Sequence, residues 1–181
     1  MIITLIGMPG SGKTCMGRSL SKKLGMRVID GDKFIEQRYG LPLHEIISRE
    51  GLEGFKKIEE QTLLSIEDDD VILSPGGSAV YYESFMQKCS DRGVVVYLYT
   101  GPKTTLERIG DYSKRGVVLK EGQTIEDLFS EREPLYKKWA HIVVDCDGRA
   151  FARYKRVAEN EIKKYINKNA ARFTKDQKVQ E

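Results

Sequence analysis

The residues with the clearest chemical potential are residues 7–14, which read GMPGSGKT. They fit the phosphate-loop pattern, in which a glycine and four free positions are followed by Gly-Lys-Thr. Glycines allow such a loop to turn tightly and to aim its backbone N–H groups at phosphate oxygens. Lys13 can reach the β- and γ-phosphates, and the Thr14 hydroxyl can ligate Mg²⁺. The pattern therefore predicts a site for a nucleoside triphosphate with Mg²⁺.

Two neighbouring segments would position this loop. Residues 1–6 read MIITLI, a short apolar run typical of a buried strand, and residues 15–24 favour a helix. A helix that follows the loop adds the partial positive charge of its N-terminus to a phosphate site. We therefore interpret the motif as a phosphate loop and not as a glycine-rich turn with a chance lysine. The residues assigned to nucleotide binding here are Gly10, Ser11, Gly12, Lys13, Thr14 and Cys15.

Strand-like and helix-like segments alternate along the chain, which predicts a three-layer α/β sandwich around a central parallel sheet. The further strands are predicted at residues 27–29, 71–73, 93–99 and 142–144. The further helices are predicted at residues 54–66, 79–92, 104–110, 124–139 and 150–167, and the fourth of these opens with a possible capping box. We expect residues 1–167 to form one domain and residues 168–181 to form a mobile polar tail.

Polar and glycine-rich segments follow the predicted strands. Asp30-Gly-Asp32 follows the second strand, Pro75-Gly-Gly-Ser78 the third, and Thr100-Gly-Pro102 the fourth. Ligands of open α/β sheets bind outside the carboxyl ends of the strands, so these segments should converge on the phosphate loop. The two aspartates could serve a hydroxyl nucleophile and the Mg²⁺ shell. Asp32 could instead cap a helix that starts at Lys33.

Residues 111–123, which read DYSKRGVVLKEGQ, are charged and lack periodicity. They are predicted either as an ordinary surface loop or as a lid that closes over the nucleotide and excludes water. We favour the lid, because an open site would lose the triphosphate to hydrolysis by water.

Composition sets further limits. The chain has 181 residues with a formal net charge of +3, too small a charge to indicate nucleic-acid binding. Its three cysteines are widely spaced without a CxxC pair, which favours free thiols in a reducing cytosol over disulfides or a zinc site. No apolar run approaches 18 residues and no signal peptide is evident, so we expect a cytoplasmic protein without membrane association, most simply a monomer.

As a series, these motifs resemble the shikimate kinase family from residue 1 to about residue 147. The series comprises the phosphate loop, DGD followed by FIEQ at 30–37, GFKKIE at 54–59, PGGS at 75–78, VVYL at 95–98, an arginine-bearing lid, and REPLY at 132–136. The resemblance implies a P-loop kinase of the nucleoside-monophosphate-kinase-like fold. It further implies ATP and Mg²⁺ as cofactors and a small hydroxy acid, most simply shikimate, as the phosphate acceptor.

The resemblance also implies roles for acceptor-side residues. Asp32 would orient and deprotonate the accepting hydroxyl. Arg132 would bind the carboxylate of the acceptor together with Lys56. The turn formed by Gly76, Gly77 and Ser78 would contact the acceptor.

On the nucleotide side, Lys13 and the lid residue Arg115 would approach the transferring phosphate and act as catalytic residues. Thr14 would ligate Mg²⁺, and Asp30 would support it through water. Arg108 would pack on the adenine, and Arg149 is assigned to nucleotide binding as well.

Three positions depart from the family pattern. Lys56 replaces an arginine that grips the acceptor carboxylate, Ser78 replaces the third glycine of the turn, and Gly116 replaces a proline of the lid. A lysine offers a point charge without the planar fork of arginine, so the exchange at Lys56 alters a bidentate site.

Three other functions stay open from sequence. One is a kinase of the same fold for another small hydroxylated acid or polyol. A second is a nucleotide-binding regulatory module without kinase activity, and a third is a nucleoside monophosphate kinase. The retained Asp30, Asp32, Arg115 and Thr14 count against the second, and the single DGD with a short lid fits the third less well.

Overall fold

The fold is built on a five-stranded parallel sheet. The computed structural model describes residues 1–110 and 122–173. The strands lie in the order β2-β3-β1-β4-β5, and each neighbouring pair is parallel. They are β1 (Ile2–Ile6), β2 (Arg27–Asp30), β3 (Val71–Ser74), β4 (Gly93–Tyr99) and β5 (Ile142–Asp145). β1 is therefore the central strand, and the loop that follows it opens at the middle of the carboxyl edge.

Helices cover both faces of this sheet. They are α1 (Lys13–Leu24), α2 (Gly31–Tyr39), α3 (Leu43–Leu64), a 3₁₀ helix (Gly77–Tyr81), α4 (Glu83–Arg92), α5 (Pro102–Ile109), α6 (Ile125–Trp139), α7 (Phe151–Lys168) and α8 (Ala170–Phe173). Within the described ranges, no helix is both long and apolar enough to cross a bilayer.

The central strand packs on both of its faces. Ile2 and Ile6 belong to the apolar cluster that includes α4 and α6 residues, while Ile3 and Leu5 belong to the cluster with α1 and α7. Strands buried on both faces are near-continuous apolar runs, as in residues 1–6. The predicted three-layer sandwich is confirmed, and each strand begins where the sequence placed it or one residue later.

A separate apolar cluster lies between α2 and α3. It contains Ile35, Ile46 and Phe55 and holds the α2–α3 pair together. α3 bends at Gly51, whose φ of 68° is a left-handed value that favours glycine. The sequence predicted a helix only at 54–66, because Gly51 and Gly54 interrupt the apolar periodicity of the earlier turns.

Asp30, and not Asp32, caps α2. The helix begins at Gly31, and Asp30 Oδ1 accepts a hydrogen bond of 3.4 Å from the Lys33 N–H. The alternative that Asp32 caps a helix starting at Lys33 is therefore wrong. Because the helix starts two residues earlier, Asp32 lies in its first turn, and its side chain lines the cleft described below.

Other boundaries also differ from the prediction. Residues 79–92 were predicted as one helix, but the 3₁₀ helix ends at Tyr81 and α4 begins at Glu83. The capping box at Thr124 is confirmed, with both reciprocal hydrogen bonds to Asp127 present. Residues 170–173, predicted as tail, form α8, and Arg172 Nη2 donates a 2.7 Å hydrogen bond to the Ser90 carbonyl. Most of the predicted lid, with Arg115 and Gly116, and residues 174–181 lie outside the described residues.

Candidate active site

A cleft of about 610 Å³ opens at the carboxyl edge of the sheet. This volume is in the range of small-molecule sites. The phosphate loop forms one wall, and α3, the 75–78 turn and α6 form the others. The sequence-predicted residues that line it are Gly10, Gly12, Lys13, Thr14, Cys15, Asp30, Asp32, Lys56, Gly76, Gly77, Ser78, Arg108 and Arg132.

The phosphate loop is tightly folded at its first glycine. Gly7 has a φ of +146°, and a Cβ there would lie 2.6 Å from the Leu98 carbonyl oxygen, so only glycine fits. The Ser11 side chain is buried beneath the loop and does not line the cleft, and its Oγ has no hydrogen-bond partner among the described residues. α1 begins at Lys13, so its N-terminus faces the cleft as an anion site requires.

The Lys13 side chain folds back onto the phosphate loop. Its Nζ donates hydrogen bonds to the Gly7 and Met8 carbonyls, at 2.8 and 3.1 Å. Desolvation lowers the pKa of Lys13 to about 8, an effect that Arg132 adds to and that Asp32 and Asp30 oppose. An anionic phosphate would replace the two carbonyls as a stronger partner for the ammonium group.

Thr14 and Asp30 meet at the edge of the loop. Thr14 Oγ1 donates to Asp30 Oδ2 at 3.2 Å. A hydroxyl and a carboxylate are hard oxygen donors that suit Mg²⁺, which usually takes few protein ligands and completes its shell with phosphates and water. No group of three or more His, Cys, Asp or Glu side chains forms a metal cage in residues 1–110 and 122–173.

The Asp32 side chain lines the cleft, and the carboxylates of Glu59 and Asp30 lie near it. Desolvation by the cleft walls, followed by repulsion from Glu59 and Asp30, raises the pKa of Asp32 to about 6, and Lys13 opposes the shift. A carboxylate with this pKa is ionised at neutral pH and still basic enough to accept a proton from a hydroxyl.

Glu59 lines the cleft, but no role was predicted for it from the sequence. It is 1% exposed, and its carboxylate accepts hydrogen bonds from Ser78 Oγ (2.9 and 2.7 Å) and the Tyr82 hydroxyl (2.6 Å). Burial raises the pKa of Glu59, although the two hydroxyl donors and Arg132 oppose the shift. The sequence feature that could have indicated this buried carboxylate is its helical spacing from Phe55 and Leu63, which places Glu59 on the apolar face of α3.

Arg132 is the buried cation on the opposite wall. It is 5% exposed, its Nε donates to the Tyr81 hydroxyl at 3.2 Å, and its guanidinium lies 5.3 Å from the Tyr81 ring centroid. Tyr81 in turn donates to Glu131 Oε1 at 2.8 Å. The tyrosine thus fixes the orientation of a planar fork that can grip a carboxylate from two sides. Tyr81 carried no sequence signal, because its role depends on α6 packing against the 3₁₀ helix.

The remaining predicted cations pair with other protein groups or lie outside the cleft. Lys56 lines it, but its side chain is 41% exposed and its Nζ pairs with Glu53 at 2.6 Å. Arg108 lies 6.0 Å from the Tyr154 ring and donates to the Cys146 carbonyl at 2.8 Å. Arg149 pairs with Asp145 and does not line the cleft.

The cleft therefore joins an anion-binding loop to a basic carboxylate and a buried guanidinium. Comparison with known proteins identifies the protein family of this chain. A sequence model of the shikimate kinase family matches residues 9–170. The chain belongs to the shikimate kinase family.

Individual relatives agree with this assignment. The shikimate kinase of Francisella tularensis subsp. novicida is 37% identical over 150 residues, covering 81% of this chain and 85% of the relative. The structure of shikimate kinase from Acinetobacter baumannii in complex with shikimate superposes with a TM-score of 0.81 at 29% identity, covering 92% of this chain and 93% of the other. The Aquifex aeolicus shikimate kinase gives a TM-score of 0.79 at 29% identity, over 90% of this chain and 96% of the other.

More distant structures share the fold alone. The deoxyadenosine kinase of M. mycoides with bound dATP has a TM-score of 0.59 at 18% identity and covers 90% of this chain and all of the other. The predicted P-loop, nucleoside-monophosphate-kinase-like fold is thus confirmed, and the chain is an ATP-dependent small-molecule kinase.

Proposed function

We propose that this chain transfers the γ-phosphoryl group of ATP to a hydroxyl of shikimate, with residues 1–167 acting as one kinase domain. The observation that carries the proposal is one cleft shared by the complete phosphate loop, Asp32 and the buried Arg132. Its support from the relatives is the shikimate complex of the Acinetobacter baumannii enzyme, whose fold covers most of this chain.

The acceptor would bind between Arg132 and Asp32. The guanidinium of Arg132 would hold the acceptor carboxylate through two parallel hydrogen bonds. Asp32 would accept a hydrogen bond from the reacting hydroxyl and take its proton as the new oxygen–phosphorus bond forms. The bond from the γ-phosphorus to the bridging oxygen breaks in the same step, and ADP leaves.

The phosphate loop would hold the other substrate. Backbone N–H groups, the α1 N-terminus and Lys13 would bind the β- and γ-phosphates and offset the charge of the transferring group. Thr14 and Asp30 would hold Mg²⁺, which when bound supplies further charge neutralisation to these phosphates. Arg108 would flank the adenine, and Arg115 and Arg149 stay assigned to the nucleotide by prediction.

The test is a coupled ADP-release assay with ATP and Mg²⁺ against shikimate, quinate, gluconate, hydroxy amino acids and nucleoside monophosphates. We expect shikimate to give the highest kcat/KM, and Asp32→Asn to lose most of the turnover while retaining ATP binding. Preferred turnover of an uncharged polyol or a nucleoside monophosphate would reassign the acceptor. ATP hydrolysis that no acceptor stimulates would support a regulatory module instead.

The cellular setting is part of the same proposal. Cys15, Cys89 and Cys146 are free thiols. Free thiols fit a reducing compartment, so we propose the cytoplasm. A monomer is the expected state, and size-exclusion chromatography with light scattering tests it.

A further inference from the structure

Tyr136 places a hydroxyl group at the junction of three parts of the site. Its side chain is fully buried, and the hydroxyl donates a 2.8 Å hydrogen bond to the Gly77 carbonyl. The same oxygen lies 4.0 Å from the Met8 sulfur in the phosphate loop and beside the guanidinium of Arg132. Burial raises the pKa of Tyr136 to about 12, although Arg132 opposes the rise, so the hydroxyl keeps the proton that it donates. One hydroxyl therefore meets the 75–78 turn, the phosphate loop and the buried arginine.

The ring that carries this hydroxyl is held by the sheet. It stacks on Tyr97 of β4, with the ring centroids 5.0 Å apart and an angle of 22° between the planes. β4 lies next to the central strand, whose carboxyl end leads into the phosphate loop. Arg132 and Tyr136 are four residues apart on α6, so they lie on the same side of that helix. The hydroxyl is thus fixed to the sheet and to a helix, and not to a loop.

Gly77 is closely packed between the same groups. A Cβ built there would lie 2.9 Å from Arg132 Nη1, 3.2 Å from the Tyr136 hydroxyl oxygen and 3.4 Å from the Gly7 carbonyl oxygen. Its Cα therefore contacts both α6 and the phosphate loop. Gly77 lines the cleft, whereas Tyr136 is buried behind the cleft wall. A change at the Tyr136 hydroxyl would consequently reach the substrates through the position of Gly77.

We infer that Tyr136 is a positioning residue that sets the distance between the acceptor and the phosphate loop. Its hydroxyl holds the 75–78 turn against the loop, so that the accepting hydroxyl stays in line with the transferring phosphate. Phosphoryl transfer depends chiefly on such alignment, and a misplacement of about 1 Å can lower the rate about a hundredfold. This inference rests on the proposed function, because it takes the acceptor to bind between Arg132 and Asp32.

The kinetic constant that depends on Tyr136 should be kcat. Arg132 is also oriented by Tyr81, whose hydroxyl accepts a 3.2 Å hydrogen bond from Arg132 Nε. The grip on the acceptor carboxylate should therefore survive without the Tyr136 hydroxyl, so the KM for the acceptor should change little. Alignment in the transition state would be lost, and that loss lowers kcat.

The experiment compares the wild type with two matched variants. Tyr136→Phe removes the hydroxyl and keeps the stacked ring. Tyr97→Phe is the control, because Tyr97 is equally buried and its hydroxyl has no hydrogen-bond partner among the described residues. Steady-state kcat and KM are measured for shikimate at saturating ATP and Mg²⁺, together with a thermal unfolding curve for each protein.

Tyr136→Phe should lower kcat about tenfold to a hundredfold and change the KM for shikimate by less than about threefold. Tyr97→Phe should keep both constants within about twofold of the wild type, because it removes a hydroxyl that bonds to no described group. A wild-type kcat in Tyr136→Phe, with or without a lower melting temperature, would assign the hydroxyl to stability alone and overturn the inference. An equal loss of kcat in both variants would overturn it as well.

A second measurement covers the case in which Tyr136→Phe folds only in part. The ratio of inorganic phosphate to phosphomonoester formed from ATP does not depend on the fraction of folded protein. A misaligned acceptor leaves water to take the phosphoryl group, so the ratio should rise in Tyr136→Phe and stay unchanged in Tyr97→Phe. A wild-type ratio in Tyr136→Phe would overturn the inference alone. A wild type that phosphorylates no shikimate would overturn the proposed function and this inference with it.

Discussion

Replacing Arg132 tests directly whether its guanidinium binds the carboxylate of the acceptor. Arg132→Met keeps a side chain of similar length against the Tyr81 ring but removes the planar fork. Each charge-assisted hydrogen bond to a carboxylate contributes about 1.5–3 kcal/mol, so a bidentate grip contributes about 3–6 kcal/mol. At about 1.4 kcal/mol per tenfold change, the acceptor KM should rise by about 10²–10⁴.

The assay is steady-state ADP release with each substrate varied in turn. The KM for ATP should change by less than about twofold, because Arg132 lies on the acceptor wall. Arg132→Lys should fall between the wild type and the methionine variant, since it keeps the charge and loses the fork. Arg92→Met is the matched control, because Arg92 is on α4, where it pairs with Glu67 and Asp69. An unchanged acceptor KM in a folded Arg132→Met variant would refute the assignment.

Three further predictions concern the cleft and the sheet. With both substrates far below KM, the rate should fall below about pH 6 as Asp32 is protonated and above about pH 8 as Lys13 loses its proton; a flat profile from pH 5 to 9 would contradict these roles. Lys56→Arg should lower the shikimate KM, because a fork replaces a point charge, and an unchanged KM would place Lys56 outside acceptor binding. His141 Nδ1 accepts a 3.1 Å hydrogen bond from the Val95 N–H, and burial together with Arg172 lowers the pKa of His141. The folded state therefore favours neutral His141, so the contribution of His141 to the free energy of unfolding is complete above the unfolded pKa of about 6.5 and is lost as the pH falls below it. In urea unfolding, the free energy of unfolding should fall less below pH 6.5 for His141→Asn than for the wild type. An equal fall in the two proteins would refute this role.

Much of the fold was accessible from sequence because each strand is a short apolar run that ends in a polar or glycine-rich segment. The same regularity located the nucleotide side of the cleft, since the phosphate loop is contiguous in sequence. It also predicted that residues 30–32 and 75–78 would meet the loop, which follows from the parallel sheet alone.

The acceptor side was less accessible because its contacts join distant segments. Glu59 on α3 meets Ser78 and Tyr82, which lie 19 and 23 residues away. The Arg132–Tyr81 contact spans 51 residues. The periodicity of apolar residues along the chain carries no information on pairs so far apart. It also failed to predict the first part of α3, because the helix continues through the non-helical residue Gly51.

The most direct test of the proposed function is phosphorus NMR of the wild-type chain incubated with ATP, Mg²⁺ and shikimate. We predict a phosphomonoester of shikimate that forms in step with ADP and that is absent when Lys13→Ala replaces the wild type. Release of inorganic phosphate at the same rate with and without shikimate, with no phosphomonoester, would contradict phosphoryl transfer to this acceptor.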